Sequence, residues 1–127
     1  MVSMPDEANL TLPLLMKLGG ATQLIAHVGQ VLVHSGHVPP GCYVMVRGTM
    51  VVSDGLRMQF VRVARGAGPV LVPPVEELDR AARHSVHIEI GTHVMYLPRS
   101  ILLSDPGTAR ALQQLGLQSV SLQSALP

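Results

Sequence analysis

Residues 29–48 read GQVLVHSGHVPPGCYVMVRG, and the punctuation of this stretch decides the fold class. Val31-Leu32-Val33 is a short β-branched run stopped by Ser35-Gly36. Pro39-Pro40-Gly41 has the residues of a tight turn. Tyr43-Val44-Met45-Val46 is a second apolar run, ended by Arg47-Gly48. Glycine at such places serves a corner where φ is positive or a Cβ would clash.

Outward from this stretch the same rhythm continues to Leu97. Met50-Val51-Val52 is followed by Ser53-Asp54-Gly55, and Asp-Gly between two apolar runs is the strongest hairpin signal in the chain. The returning strand is predicted over 56–63. Val70-Leu71-Val72 is halted by Pro73-Pro74. Residues 76–83, EELDRAAR, predict one or two helical turns with acid first and base last, as the helix dipole favours. Val86, Ile88 and Ile90 alternate with His87 and Glu89, a half-buried strand that Gly91-Thr92-His93 turns toward a last strand at 94–97. Upstream, Leu10, Leu14, Leu15, Leu18, Leu24, Ile25 and Val28 predict one or two short helices over 10–28. Downstream, Ser104-Asp105-Pro106 is a helix start, and Ala109, Leu112 and Leu115 form its apolar face before Gly116. For 117–127, rich in Ser and Gln but holding Leu117, Val120 and Leu122, the pattern leaves strand, short helix and disorder open.

The order helix, seven or eight short strands, helix predicts a mainly β fold. Its expected form is a jelly-roll or double-stranded β-helix sandwich flanked by short N- and C-terminal helices. One domain is expected over 10–116, with a flexible N-terminus at 1–9 and a tail at 117–127.

Composition bounds the rest. The chain has 127 residues, 47% apolar but only 13% charged, and a net charge of +1. One domain suits that length, and the charge gives no field to draw nucleic acid or an anionic membrane. Phe60, Tyr43 and Tyr96 are the only aromatics, so the core must be aliphatic, with Met45, Met50, Met58 and Met95 as filler. The sparse charge suggests a surface that meets a partner. All basic residues except Lys17 are arginine, which fits a high-GC bacterial genome. The single Cys42 excludes an internal disulfide and reads as a small buried hydrophobe. With no apolar run long enough to span a bilayer, the expected setting is cytoplasmic.

The frame of 29–48, together with VHIEIGTHVMYLPRSIL at 86–102, resembles the cyclic-nucleotide-binding, catabolite activator protein-like family, and the resemblance spans about residues 10–116. It implies a cassette in which a Gly-rich turn and short helix cradle a cyclic phosphate with backbone N–H groups. It also implies a Glu on the ribose hydroxyl and an Arg, followed by Ser, Thr or Ala, on the phosphate. The matching stretch here is 66–85. Gly66 matches the first glycine, but Ala67 replaces the usual acid and Gly68-Pro69 replaces the step that carries the Glu. Pro73-Pro74 removes two donors. Glu76 and Glu77 have the wrong spacing to substitute. Arg83-His84-Ser85, or alternatively Arg80-Ala81-Ala82, matches the arginine step. The resemblance thus implies Gly66, Gly68, Arg80, Arg83 and Ser85 as ligand-binding residues, a set that keeps the cation for the phosphate but has no carboxylate for the sugar. Arg80 and Arg83 also read as surface residues pairing with Glu76, Glu77 or Asp79.

Three readings follow. The first is a non-catalytic regulatory or scaffolding domain, without cofactor, that acts through a protein partner or a different ligand. The second is a cyclic-nucleotide sensor with an atypical cassette. The third is a cupin-type metal protein centred on His34 and His37; an x-x spacing places those side chains on opposite faces of an extended strand, whereas a turn at Gly36 would bring them together. No Ser-His-Asp order, P-loop or dinucleotide fingerprint is present. About ten residues follow Gly116, too few for a DNA-binding module. A homodimer would use an edge strand or the Leu112/Leu115/Leu117 face.

Overall fold

The computed structural model describes residues 22–64 and 68–124. The strands are β1 (Thr22–Ala26), β2 (Val31–Val33), β3 (Gly41–Ser53), β4 (Met58–Val63), β5 (Val70–Val72), β6 (Ser85–Pro98) and β7 (Gln118–Ser119). A 3-10 turn covers Val75–Glu77, and two helices follow β6: α1 (Arg99–Ser104) and α2 (Pro106–Gln114). The strands form one sheet in the order β1-β6-β3-β5-β7, with β2 also on β6 and β4 also on β3. The expected mainly β roll, with helices after it, is therefore what forms.

Two long antiparallel strands, β3 and β6, are its spine. They pair from Gly41↔Pro98 to Ser53↔Ser85. Arg47-Gly48 and Gly91-Thr92-His93 were expected to break strands, yet both strands run through them. The reason is visible in the side-chain parity. Tyr43 and Met45 face the roll interior, and so do Met50 and Val52, which an unbroken alternation cannot achieve. Register shifts between Met45 and Met50, with Gly48 at φ 129°, insert the extra residue that restores the inward face. At the start of β3, a Cβ on Gly41 would lie 2.1 Å from the Leu97 carbonyl oxygen, so only glycine fits.

The core has two parts. Leu32, Val33, Met45, Met50, Val52, Val72, Val86 and Ile88 fill the roll. On the other side of the sheet, Cys42, Val44, Leu71, Leu78, Met95 and Leu97 pack against Leu102 and Leu112 of the two helices. Leu115 and Leu117 are half-buried against this second cluster, and Leu112 is buried within it. Asp105 caps α2, accepting from the Gly107 and Thr108 amides, with Pro106 at the first turn.

Other expectations are corrected. Residues 10–21 lie outside the described chain, but Thr22–Ala26 is a strand rather than helix, because β6 offers it a full antiparallel partner. Met58 is 64% exposed and Phe60 61%. Val61 and Val63 take the inward positions of β4, leaving Met58 and Phe60 to the uncovered face. The Asp54-Gly55 hairpin forms between β3 and β4, with Asp54 Oδ1 accepting from the Leu56 and Arg57 amides.

Candidate functional site

The cassette begins where β5 ends. Pro73 and Pro74 are buried and have no N–H to offer a ligand. The single 3-10 turn follows, not the longer helix expected over 76–83, and residues 78–84 cross the end of the roll without helix. Proline at 73 and 74 lets the chain enter the turn but presents no extended row of donors. Four of the donors that remain are committed within the chain. The Glu77 N–H bonds to the Pro74 carbonyl, Leu78 to Val75, Ala82 to His37 and Arg83 to Leu122.

Residues 118–124 come back onto this cassette. Gln118 and Ser119 pair in parallel with Val70 and Leu71, and the Val120 N–H continues the ladder to the Leu71 carbonyl at 2.9 Å. Leu122 is fully buried in the roll cluster, and Val120 packs against the same cluster. Glu77, itself 7% exposed, holds the segment. Its carboxylate accepts the Ser121 hydroxyl at 2.5 Å and the Leu122 N–H at 2.7 Å. The Leu122 carbonyl accepts from the Arg83 N–H at 2.9 Å. Gln123 Nε2 donates to the Ala81 carbonyl. His84 lies 2.6 Å from the Ser124 carbonyl through Nε2. A carbonyl only accepts, so Nε2 carries the proton; Nδ1 is buried with no hydrogen-bond partner.

Of the five residues singled out in the sequence, four lie among the described residues. Gly66 lies outside the described residues, and Gly68 is half-buried ahead of β5. Arg80 is exposed and pairs with Asp79 at 3.1 Å. Arg83 is exposed, and its backbone, through both N–H and carbonyl, bonds Leu122 and Ser35. The Ser85 hydroxyl donates to the Ser53 carbonyl. Glu77, Ser121 and Leu122 were not in that set. The apolar Val120 and Leu122 within a Ser/Gln-rich stretch are the only trace of the segment's role.

Cys42 is buried, its thiol donating to the Pro73 carbonyl at 3.1 Å. Burial, reinforced by the charges of Glu76 and Glu77, pushes it up to about 12, so it is no nucleophile at neutral pH. His34 and His37 meet edge to face at 6.0 Å. Among the described residues no three His, Cys, Asp or Glu side chains gather as a metal site. No helix among them is long and apolar enough to cross a membrane.

No protein-family model and no curated protein sequence matches the chain. Solved structures do. A protein studied in a cyclic-GMP-dependent signalling pathway that regulates bacterial phytopathogenesis superposes at TM-score 0.56 and 16% identity, over 90% of this chain and 92% of that one. The C-linker/CNBHD of zELK channels, crystallised in the presence of cAMP, superposes at 0.62 and 14% identity, over 94% and 68%. The cyclic nucleotide-binding-like protein from Brucella abortus gives 0.51 and 23% identity, over 82% and 84%. With its roll, its cassette between β5 and β6 and its helices after β6, the chain has the fold of the cyclic-nucleotide-binding domains.

Proposed function

We propose that this chain is a non-catalytic regulatory or scaffolding domain whose ligand cassette is closed by its own residues 117–124. The observation that carries this reading is Glu77. Its carboxylate takes a hydroxyl and an N–H from the chain itself, the kind of contact the resemblance assigns to a ribose hydroxyl. Leu122 sits beside it where an inserted ligand would need room. Displacing the segment would expose a fully buried leucine and leave the buried Glu77 carboxylate without its two donors, at about 1–3 kcal/mol for each of these two losses. Four backbone donors of the cassette, those of Glu77, Leu78, Ala82 and Arg83, are already taken by the chain itself. In this reading the domain works through a protein partner in the cytoplasm, which suits its unpaired, unreactive Cys42.

The proteins it resembles in fold include one studied in a cyclic-GMP-dependent signalling pathway and the zELK channel domain crystallised in the presence of cAMP. A nucleotide reaching this cassette would have to use Gly66, Gly68, Arg80, Arg83 and Ser85. Calorimetric titration with cyclic AMP, cyclic GMP and cyclic dinucleotides, with thermal shift in parallel, separates the two readings. A ligand at one hundred times its dissociation constant stabilises the native state by roughly 2.7 kcal/mol. The expected result is neither heat nor shift. Saturable binding that Arg83→Ala abolishes would overturn the closed-cassette reading in favour of a sensor.

A further inference from the structure

The bulge that keeps β3 in register opens a second cleft, away from the segment 117–124. At Gly48 the strand leaves its regular alternation, and a cavity of about 510 Å³ forms where β3, β4 and β6 meet. That volume is within the range that small-molecule sites occupy. Its polar lining is cationic. Arg47 stands directly opposite His93 across β3 and β6, and Arg62 stands opposite Thr49 across β3 and β4. Arg47, Thr49, Arg62 and His93 all line the cavity, and Ile90 supplies an apolar wall.

Two guanidinium groups on neighbouring strands repel one another when nothing lies between them. Neither is neutralised by an ion pair among the described residues, where Arg80 with Asp79 is the pair that forms. No carboxylate of the described residues lines the cavity. Arginine presents a planar fork of donors that matches two oxygens of a phosphate, and imidazole adds a single donor. The apolar Ile90 wall suits an organic group attached to the anion.

We propose that this cleft is a binding site for the terminal phosphate of a small phosphorylated molecule, held by Arg47 and Arg62 with His93 beside them. Among the described residues, none of 68–85 or 117–124 lines it.

The test is an amide NMR titration of isotope-labelled protein with inorganic pyrophosphate and with glycerol 3-phosphate, against sodium chloride at matched ionic strength. Saturable shifts are expected at the Gly48, Thr49 and His93 amides, absent in chloride, with the Leu122 amide unmoved. The double substitution Arg47→Gln and Arg62→Gln is expected to weaken binding on the order of tenfold or more, as removal of two charge-assisted contacts requires. Both side chains are exposed, so the fold is expected to persist, which unshifted amides of β6 would verify. The wild-type arms decide the matter without the variant. Shifts equal to those in chloride, or none at these amides up to millimolar anion, would overturn the proposal. So would unchanged affinity in the folded double variant.

Discussion

Glu77 is a buried carboxylate that makes no ion pair among the described residues, and its two acceptor oxygens are met by Ser121 and Leu122. Burying such a group is tolerable only when its hydrogen bonds are supplied, and here residues more than forty positions away supply them. Leu122 contributes the apolar part of the same junction. Leu122→Ala is therefore expected to destabilise the domain by about 2–5 kcal/mol, the range for a buried leucine whose cavity only partly collapses. Denaturant unfolding of the variant against the wild type measures it; a change within experimental scatter of zero would show that the segment does not rest in the roll. Little of this is legible in the sequence. The spacing of Glu77 speaks against a ribose contact and says nothing of what the carboxylate holds instead. Its partner is the chain, whose return to the cassette has no local signature beyond Val120 and Leu122. Arg80, by contrast, pairs with Asp79, one of the surface acids its position suggests.

At the scale of elements, local chemistry is readable wherever a single residue dictates a backbone state. The Asp54-Gly55 turn, the runs at 31–33 and 70–72, and the start of α2 at Asp105-Pro106 all form where their residues demand. What local pattern does not show is how strands are joined through a bulge. Gly48 and Gly91 look like stops, and only the parity of Tyr43, Met45, Met50 and Val52 on one face reveals that β3 continues. The 22–26 strand is hidden for a similar reason, since its apolar spacing also suits a helix and its partner is some seventy residues away. The α2 cap carries a pH dependence. The Thr108 hydroxyl, then the Thr108 and Gly107 amides, hold the Asp105 carboxyl below its ordinary value of 3.8. A carboxyl lowered on folding stabilises the folded state above its unfolded value, and that contribution disappears as pH falls through the lower folded value. Asp105→Asn keeps an acceptor but not the charge. Its melting temperature is expected to lie below the wild type at neutral pH and to converge on it as the solution is acidified below the ordinary carboxylate range. A gap that stays constant with pH would contradict this account of the cap.

At the largest scale, the described residues form a roll against which residues 118–124 return. β3 and β6 form the frame, the helices after β6 cover one outer face, and residues 118–124 join β5 as an added strand and then enter the core. The same architecture leaves Met58 and Phe60 on an outer face without cover, and opens the cationic cleft where β3 bends at Gly48. The class of this fold is readable from turn residues and short apolar runs, because each turn is local. The state of its cassette is not, because occupancy depends on a contact between residues 77 and 122 that no spacing rule encodes. The most direct measurement of that occupancy is amide hydrogen exchange at Val120 and Leu122. These N–H groups bond to the Leu71 carbonyl and the Glu77 carboxylate, inside a cluster shared with the centre of β3. The account predicts that both exchange as slowly as the core amides of β3, and that added cyclic AMP or cyclic GMP leaves their rates unchanged. Exchange at the rate of an unprotected chain, or rates that rise on adding either nucleotide, would contradict it.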